Sequence, residues 1–136
     1  MARDTGPFEL GQHFVHLKSD ATASALEVDE TFWQDLSKGR FGNFKDEYLV
    51  STLSFIENWP VWEMHPEGEE IIVLLSGALD LILEKKSGNK TLTLNKSASW
   101  VLVPKGVWHT ARLYEPSTLL FITPGEGTLQ RPVDLA

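Results

Sequence analysis

EMHPEGEEIIVLLSG, residues 63–77, carries the strand and turn pattern on which the fold decision rests. Glu63 and His65 stand two apart in an extended run, so their side chains leave the same face of a strand. Pro66-Glu67-Gly68 reads as a tight turn. Glu70 to Leu75 then has the apolar, β-branched character of a strand, and Ser76-Gly77 reads as the next turn. Working outward, the pattern repeats. Downstream come strands over Ala78 to Glu84, Thr91 to Leu94, Trp100 to Val103, Val107 to Arg112 and Thr118 to Thr123, punctuated by Ser87-Gly88-Asn89 and Pro104-Lys105-Gly106. Upstream, Tyr48 to Glu57 and Val61 to His65 flank Asn58-Trp59-Pro60. Seven or eight short strands with connections too short for helical crossovers predict an all-β, antiparallel sandwich or barrel.

The segment before Tyr48 reads differently. Gln12 to Leu17 suits a short strand or arm, and Asp20 to Glu27 has no decisive pattern. Asp29 to Leu36 predicts a short helix, with Asp29 as the capping residue, Glu30 at the positive end of the dipole and Gly39 as the stop. Phe32, Trp33 and Leu36 would share the face laid against the sheet. The expected organisation is one domain: an arm and helix over residues 1–44, a barrel over 45–124 and a Gly/Pro-rich tail over 125–136.

Bulk properties narrow the function classes. A chain of 136 residues is one domain by the usual span of about 100–200 residues, and it buries enough surface to fold without a disulfide or structural metal. The net charge of −7 repels a phosphate backbone, so no nucleic-acid partner is expected. Without cysteine, any metal must be held by nitrogen and oxygen. Residues 1–10 hold no apolar core of signal-peptide length, and Ile71 to Leu75 is far too short to span a membrane. A soluble, cytoplasmic protein with no membrane partner is the expectation.

Four side chains carry the chemical interest: Glu63, His65, Glu70 and His109. Imidazoles and a carboxylate pointing inward from three separate strand ends would make a small-metal site with open positions. Glu69 competes with Glu70 for the carboxylate role. The spacing to Gly77 selects Glu70, and Glu70, Ile72, Leu74 and Ser76 would then face the lumen; a single bulge would reverse the assignment.

Two spacings resemble the motifs of the cupin superfamily. The first is Glu63-Met64-His65, four residues, Glu70, six residues, Gly77; the second is Pro104-Lys105-Gly106, two residues, His109. The pair covers about Glu57 to Leu113. The resemblance implies an antiparallel double-stranded β-helix, or jelly-roll barrel, preceded here by a short helix. It also implies one divalent metal ion. The sequence departs from the family pattern where Glu63 replaces the first histidine, Glu57 and Ala98 replace the opening glycines, and Leu113 replaces the closing asparagine. If Glu63 ligates, two imidazoles and two carboxylates suit Fe(II) or Mn(II), with Zn(II) or Ni(II) as further options. If it does not, His65, Glu70 and His109 still form a facial set, and Glu63 becomes the natural catalytic base, its proton affinity raised by Glu70.

The resemblance implies metal-dependent chemistry of oxygenase, isomerase or lyase type on a small organic molecule. Alternatively, the barrel is a non-catalytic binding or sensory module. Other residues read more plainly. His13 and His16 are placed on the surface and Arg112 on the exterior. Trp62 and Trp108 point away from the histidines, toward sheet packing or a dimer interface, whereas Trp59 and Tyr48 are free to line a pocket. The outward tryptophans, with the habit of similar cupins, predict a homodimer.

Overall fold

A computed structural model describes residues 3–134 of the chain. It is mostly antiparallel β-sheet. The elements are β1 (His13–Leu17), β2 (Ala23–Glu27), α1 (Phe32–Ser37), β3 (Tyr48–Phe55), β4 (Val61–Met64), β5 (Glu70–Leu83), β6 (Lys90–Leu94), β7 (Trp100–Val103), β8 (His109–Pro124) and β9 (Leu129–Pro132).

Two long strands organise the molecule. The first half of β5 pairs with β7 and with the second half of β8, which pairs in turn with β3. The second half of β5 pairs with β6 and with the first half of β8, while β4 joins the start of β8 through the pair Glu63 and His109. The register shifts between Leu74 and Leu79, where β5 passes from one layer to the other. The expected turn at Ser76-Gly77 is therefore a bulge within one continuous strand. Gly77 has φ +96°, and a Cβ there would overlap the Pro116 carbonyl oxygen and Ser117 Oγ. Glycine satisfies both demands. The alternation Glu70, Ile72, Leu74 is buried as expected, but Ser76, inside the bulge, is exposed.

Between the layers lie Ile72, Leu74, Leu79, Leu81, Leu94, Val103 and Leu119, all buried. A second cluster of Phe14, Phe32, Phe44 and Leu49 joins the N-terminal segment to the sheet. Three N-terminal expectations need correcting. Thr31, not Asp29, precedes α1; Asp29 Oδ1 instead accepts from Thr31 N at 3.1 Å, a turn made before the helix begins. Trp33 is 47% exposed, while Phe32 and half-buried Leu36 make the inward face. His16 is buried rather than superficial, stacked on Phe44 at 4.1 Å and paired with Glu47 at 2.8 Å.

The sheet extends beyond residues 45–124 on both sides. β1 pairs with β3, and β9 in the Gly/Pro-rich tail pairs with β4, setting Gln130 opposite Glu63. Arg131 on β9 lies over the rings of Trp62 (5.3 Å) and Trp108 (4.6 Å) and pairs with Glu84. Those two tryptophans thus pack the outer face, away from the histidines.

Candidate metal centre

His65 follows β4, Glu70 opens β5 and His109 opens β8. The turn between β7 and β8 ties two of these together: the Gly106 N–H donates to the His65 carbonyl at 3.0 Å, and Val107 N–H to Pro104 O at 3.2 Å. Gly106, at φ +77°, supplies the left-handed backbone that this turn requires. All three residues are buried, none more than 3% exposed. One donor atom from each lies within 4.8 Å of the others. Glu70 is buried and Glu69 exposed, so alternation places the former inside.

The fine geometry suits an ion better than mutual hydrogen bonding. His65 Nε2 is 3.3 Å from Glu70 Oε2, and His109 Nε2 is 3.0 Å from Glu70 Oε1. Yet His65 Nε2 and Glu70 Oε1 are buried with no directed hydrogen bond. The opposite edges are satisfied: His65 Nδ1 is hydrogen-bonded to Thr128 Oγ1 at 2.9 Å, His109 Nδ1–H donates to Val107 O at 3.4 Å, and Thr123 Oγ1 donates to Glu70 Oε2 at 2.6 Å. Outer partners on Nδ1 leave both Nε2 atoms turned toward Glu70 and free to take a ligand role. Two imidazoles and one carboxylate with converging donors fit a divalent ion.

Electrostatics follow from the same contacts. Burial alone would raise the Glu70 carboxyl, but the close imidazoles of His109 and His65 outweigh it and hold its pKa at about 2. Burial would lower His109, and Glu70 beside it reverses the sign, raising its pKa above the ordinary range. Glu63 lies outside the three-residue cluster, half-buried beside it. Burial and then the Glu70 charge raise its pKa, against the opposing pull of the histidines and a hydrogen bond with Gln130. Burial is the larger of the two raising causes, and crowding by Glu70 the smaller.

The cluster faces a cavity of about 930 Å³. One wall is the barrel interior, including Phe55, Trp59 and Phe121; α1, the following loop and residues 125–130 form the rest. Trp59 lines this cavity as expected, whereas Tyr48 lines a separate hollow beside Glu47. Thr123, Thr128 and Gln130 were not singled out from the sequence. A threonine in a polar tail carries no local mark of touching a histidine 63 positions away.

A family model described as FdtA: WxcM-like, C-terminal matches residues 63–125, a little under half of the chain. Among solved structures, the chain is similar to a cupin-2 domain containing protein from Shewanella frigidimarina NCIMB 400 (22% identity, 57% of this chain and 70% of that one, TM-score 0.49). It is also similar to a cupin superfamily protein from Desulfitobacterium hafniense DCB-2 (19% identity, 57% and 66% covered, TM-score 0.48). Oxalate oxidase is similar at 12% identity, over 60% of this chain and 45% of that one, with a TM-score of 0.50. The chain thus spans under half the length of that oxidase. No curated protein matches. Among the described residues, no helix is long and apolar enough to cross a membrane.

Proposed function

The resemblance to the cupin superfamily holds at the level of the fold, and on that premise we propose that this protein is a metal-dependent enzyme acting on a small organic molecule. His65, Glu70 and His109 are the ligands of one divalent ion, and Glu63 is the catalytic base rather than a fourth ligand. One observation carries the proposal: three buried donors converge, two of their atoms without a directed hydrogen bond, beside a cavity large enough for a substrate. A divalent ion bound there supplies Lewis-acid polarisation of a substrate oxygen.

The remaining tasks fall to the chain itself. Thr128 and the Val107 carbonyl fix the two imidazole orientations, and Thr123 fixes the carboxylate. Phe55, Trp59 and Phe121 exclude water from one side of the cavity. Glu63 is set directly opposite His109 across the β4–β8 pair, and its raised proton affinity suits a group that accepts a substrate proton and returns it. Such a shuttle supports isomerase or lyase chemistry within the cupin range. The chain acts as one folding unit, with the N-terminal arm and C-terminal tail completing the cavity, and it works as a homodimer in the cytoplasm.

Metal analysis of Glu63→Gln tests the division of labour. Retention of wild-type metal content is the expected result, with loss in His65→Ala and His109→Ala. Metal lost equally from Glu63→Gln would make Glu63 a ligand and remove it as the base.

A further inference from the structure

Strand β9 forms part of the cavity wall with almost no core of its own. Among the described residues it lies at the edge of the sheet, paired with β4 alone. Three of its four residues are exposed, Leu129 at 48%, so burial contributes little to its attachment. A short edge strand of that kind opens locally unless something else ties it down. Arg131, the half-buried fourth residue, supplies the tie. Directly opposite Trp62 in the β4–β9 register, it lies over that ring at 5.3 Å and over Trp108 at 4.6 Å, and it ends on the Glu84 carboxylate just past β5. The Glu84 N–H donates in turn to the Trp108 carbonyl at 2.9 Å. One side chain therefore spans the outer face from β9 to the end of β5, over indole, the best ring partner for a cation.

The same segment carries inner contacts. Thr128, one residue before β9, is hydrogen-bonded to His65 Nδ1 at 2.9 Å, and Gln130 stands opposite Glu63. Residues 127–130 line the cavity. The chain enters this segment from a fixed point: the Gly125 N–H donates to Glu47 O at 3.2 Å, and a Cβ there would come within 2.4 Å of the Phe44 ring. Just beyond, Gly127 takes φ +73°, a turn that glycine makes without strain. We infer that residues 127–132 form a strap across the cavity, and that Arg131, from the outer face of the sheet, is a positioning residue that orients the His65 imidazole by holding this strap shut. The effect passes through Thr128 and needs no contact between Arg131 and the site. Its bearing on metal affinity rests on the proposed metal centre; the positioning itself does not.

Metal-stripped protein tests the positioning. Arg131→Ala is expected to speed amide hydrogen exchange in β9 about tenfold and to leave exchange in the β5–β8 pairing at the wild-type rate. It should also move the His65 ring resonances in the direction that Thr128→Val moves them. Arg131→Lys keeps the charge but loses the planar stack, so it is expected to fall between wild type and Arg131→Ala. Zinc titration reads the consequence. Thr128→Val is expected to weaken zinc about tenfold, and adding Arg131→Ala to it should cost less than about twofold more, because the two residues act in series. Unchanged β9 exchange in Arg131→Ala, faster exchange with the His65 resonances unmoved, or fully additive losses of zinc affinity would overturn the inference. Glu84→Gln, at the far end of the clamp, gives the same readouts in milder form if Arg131→Ala fails to fold. Wild-type protein that takes up no zinc yet shows the exchange and ring shifts sinks the metal centre alone. Zinc bound by wild type and Arg131→Ala with equal affinity, and no ring shift, sinks the strap alone.

Discussion

Glu70 lies against two imidazoles and accepts a hydrogen bond from Thr123, and the shifted protonation of Glu70 and His109 bears on the stability of the metal-free protein. Glu70 falls from an ordinary 4.5 to about 2, and the stability it contributes is present above 4.5 and lost as pH drops toward 2. His109 rises from 6.5, so its contribution is present below 6.5 and lost as pH climbs through the raised value. Metal-stripped protein is therefore expected to be most stable between these limits, from about pH 4.5 to 6.5. Ion binding requires neutral imidazole and reverses the alkaline trend. Thermal melts from pH 4 to 9, with and without Zn(II), check this: the metal's stabilisation should grow with pH, and a pH-independent increment would contradict it. At this scale the inward placement of His65, Glu70 and His109 was legible, because strand parity and the spacings that resemble the cupin motifs pointed to them. Thr123 and Thr128 were not, since their partners are distant in sequence and threonine is common in strands and loops alike.

At the scale of elements, Gly77 shows what a sequence can and cannot say. A glycine between two apolar runs marks a departure from regular strand, but turn and bulge make the same demand for positive φ. Only pairing with β8 distinguishes them, and that pairing is nonlocal. Gly77→Ala is expected to destabilise the fold by ~2–4 kcal/mol, combining left-handed strain with overlap against Pro116 and Ser117. Chemical denaturation would measure it, and a change below about 0.5 kcal/mol, the surface-substitution range, would contradict the close approach. Ala98 teaches the converse. It stands where glycine was expected and has φ +71°, so a left-handed backbone occurs there without the residue that suits it best. Strand β9 left almost no trace, because Leu129 to Pro132 is short and lies in a segment whose composition suggests loop.

Over the whole molecule, the outer face of the β5–β7 pair bears on assembly. Ile71 sits opposite Leu102 and Val73 opposite Trp100, with Trp100 58% and Leu102 43% exposed. Neighbouring apolar groups on a sheet face are what a dimer interface covers. Sedimentation velocity at micromolar concentration should find a dimer, and Trp100→Glu should shift it to monomer; wild-type monomer alone would contradict this. The β class and antiparallel pairing were legible from strand spacing. The cavity was not, because its outer wall is built from α1, the loop after it and residues 125–130, which meet only in the folded chain. The metal centre remains the feature on which the functional proposal turns. Its most direct test is calorimetric titration of Mn(II) or Zn(II) into chelator-stripped protein. One ion per chain, weakened at least 100-fold in His109→Ala, is the expected result; wild-type protein that takes up no ion, or a variant that binds as tightly, would contradict it.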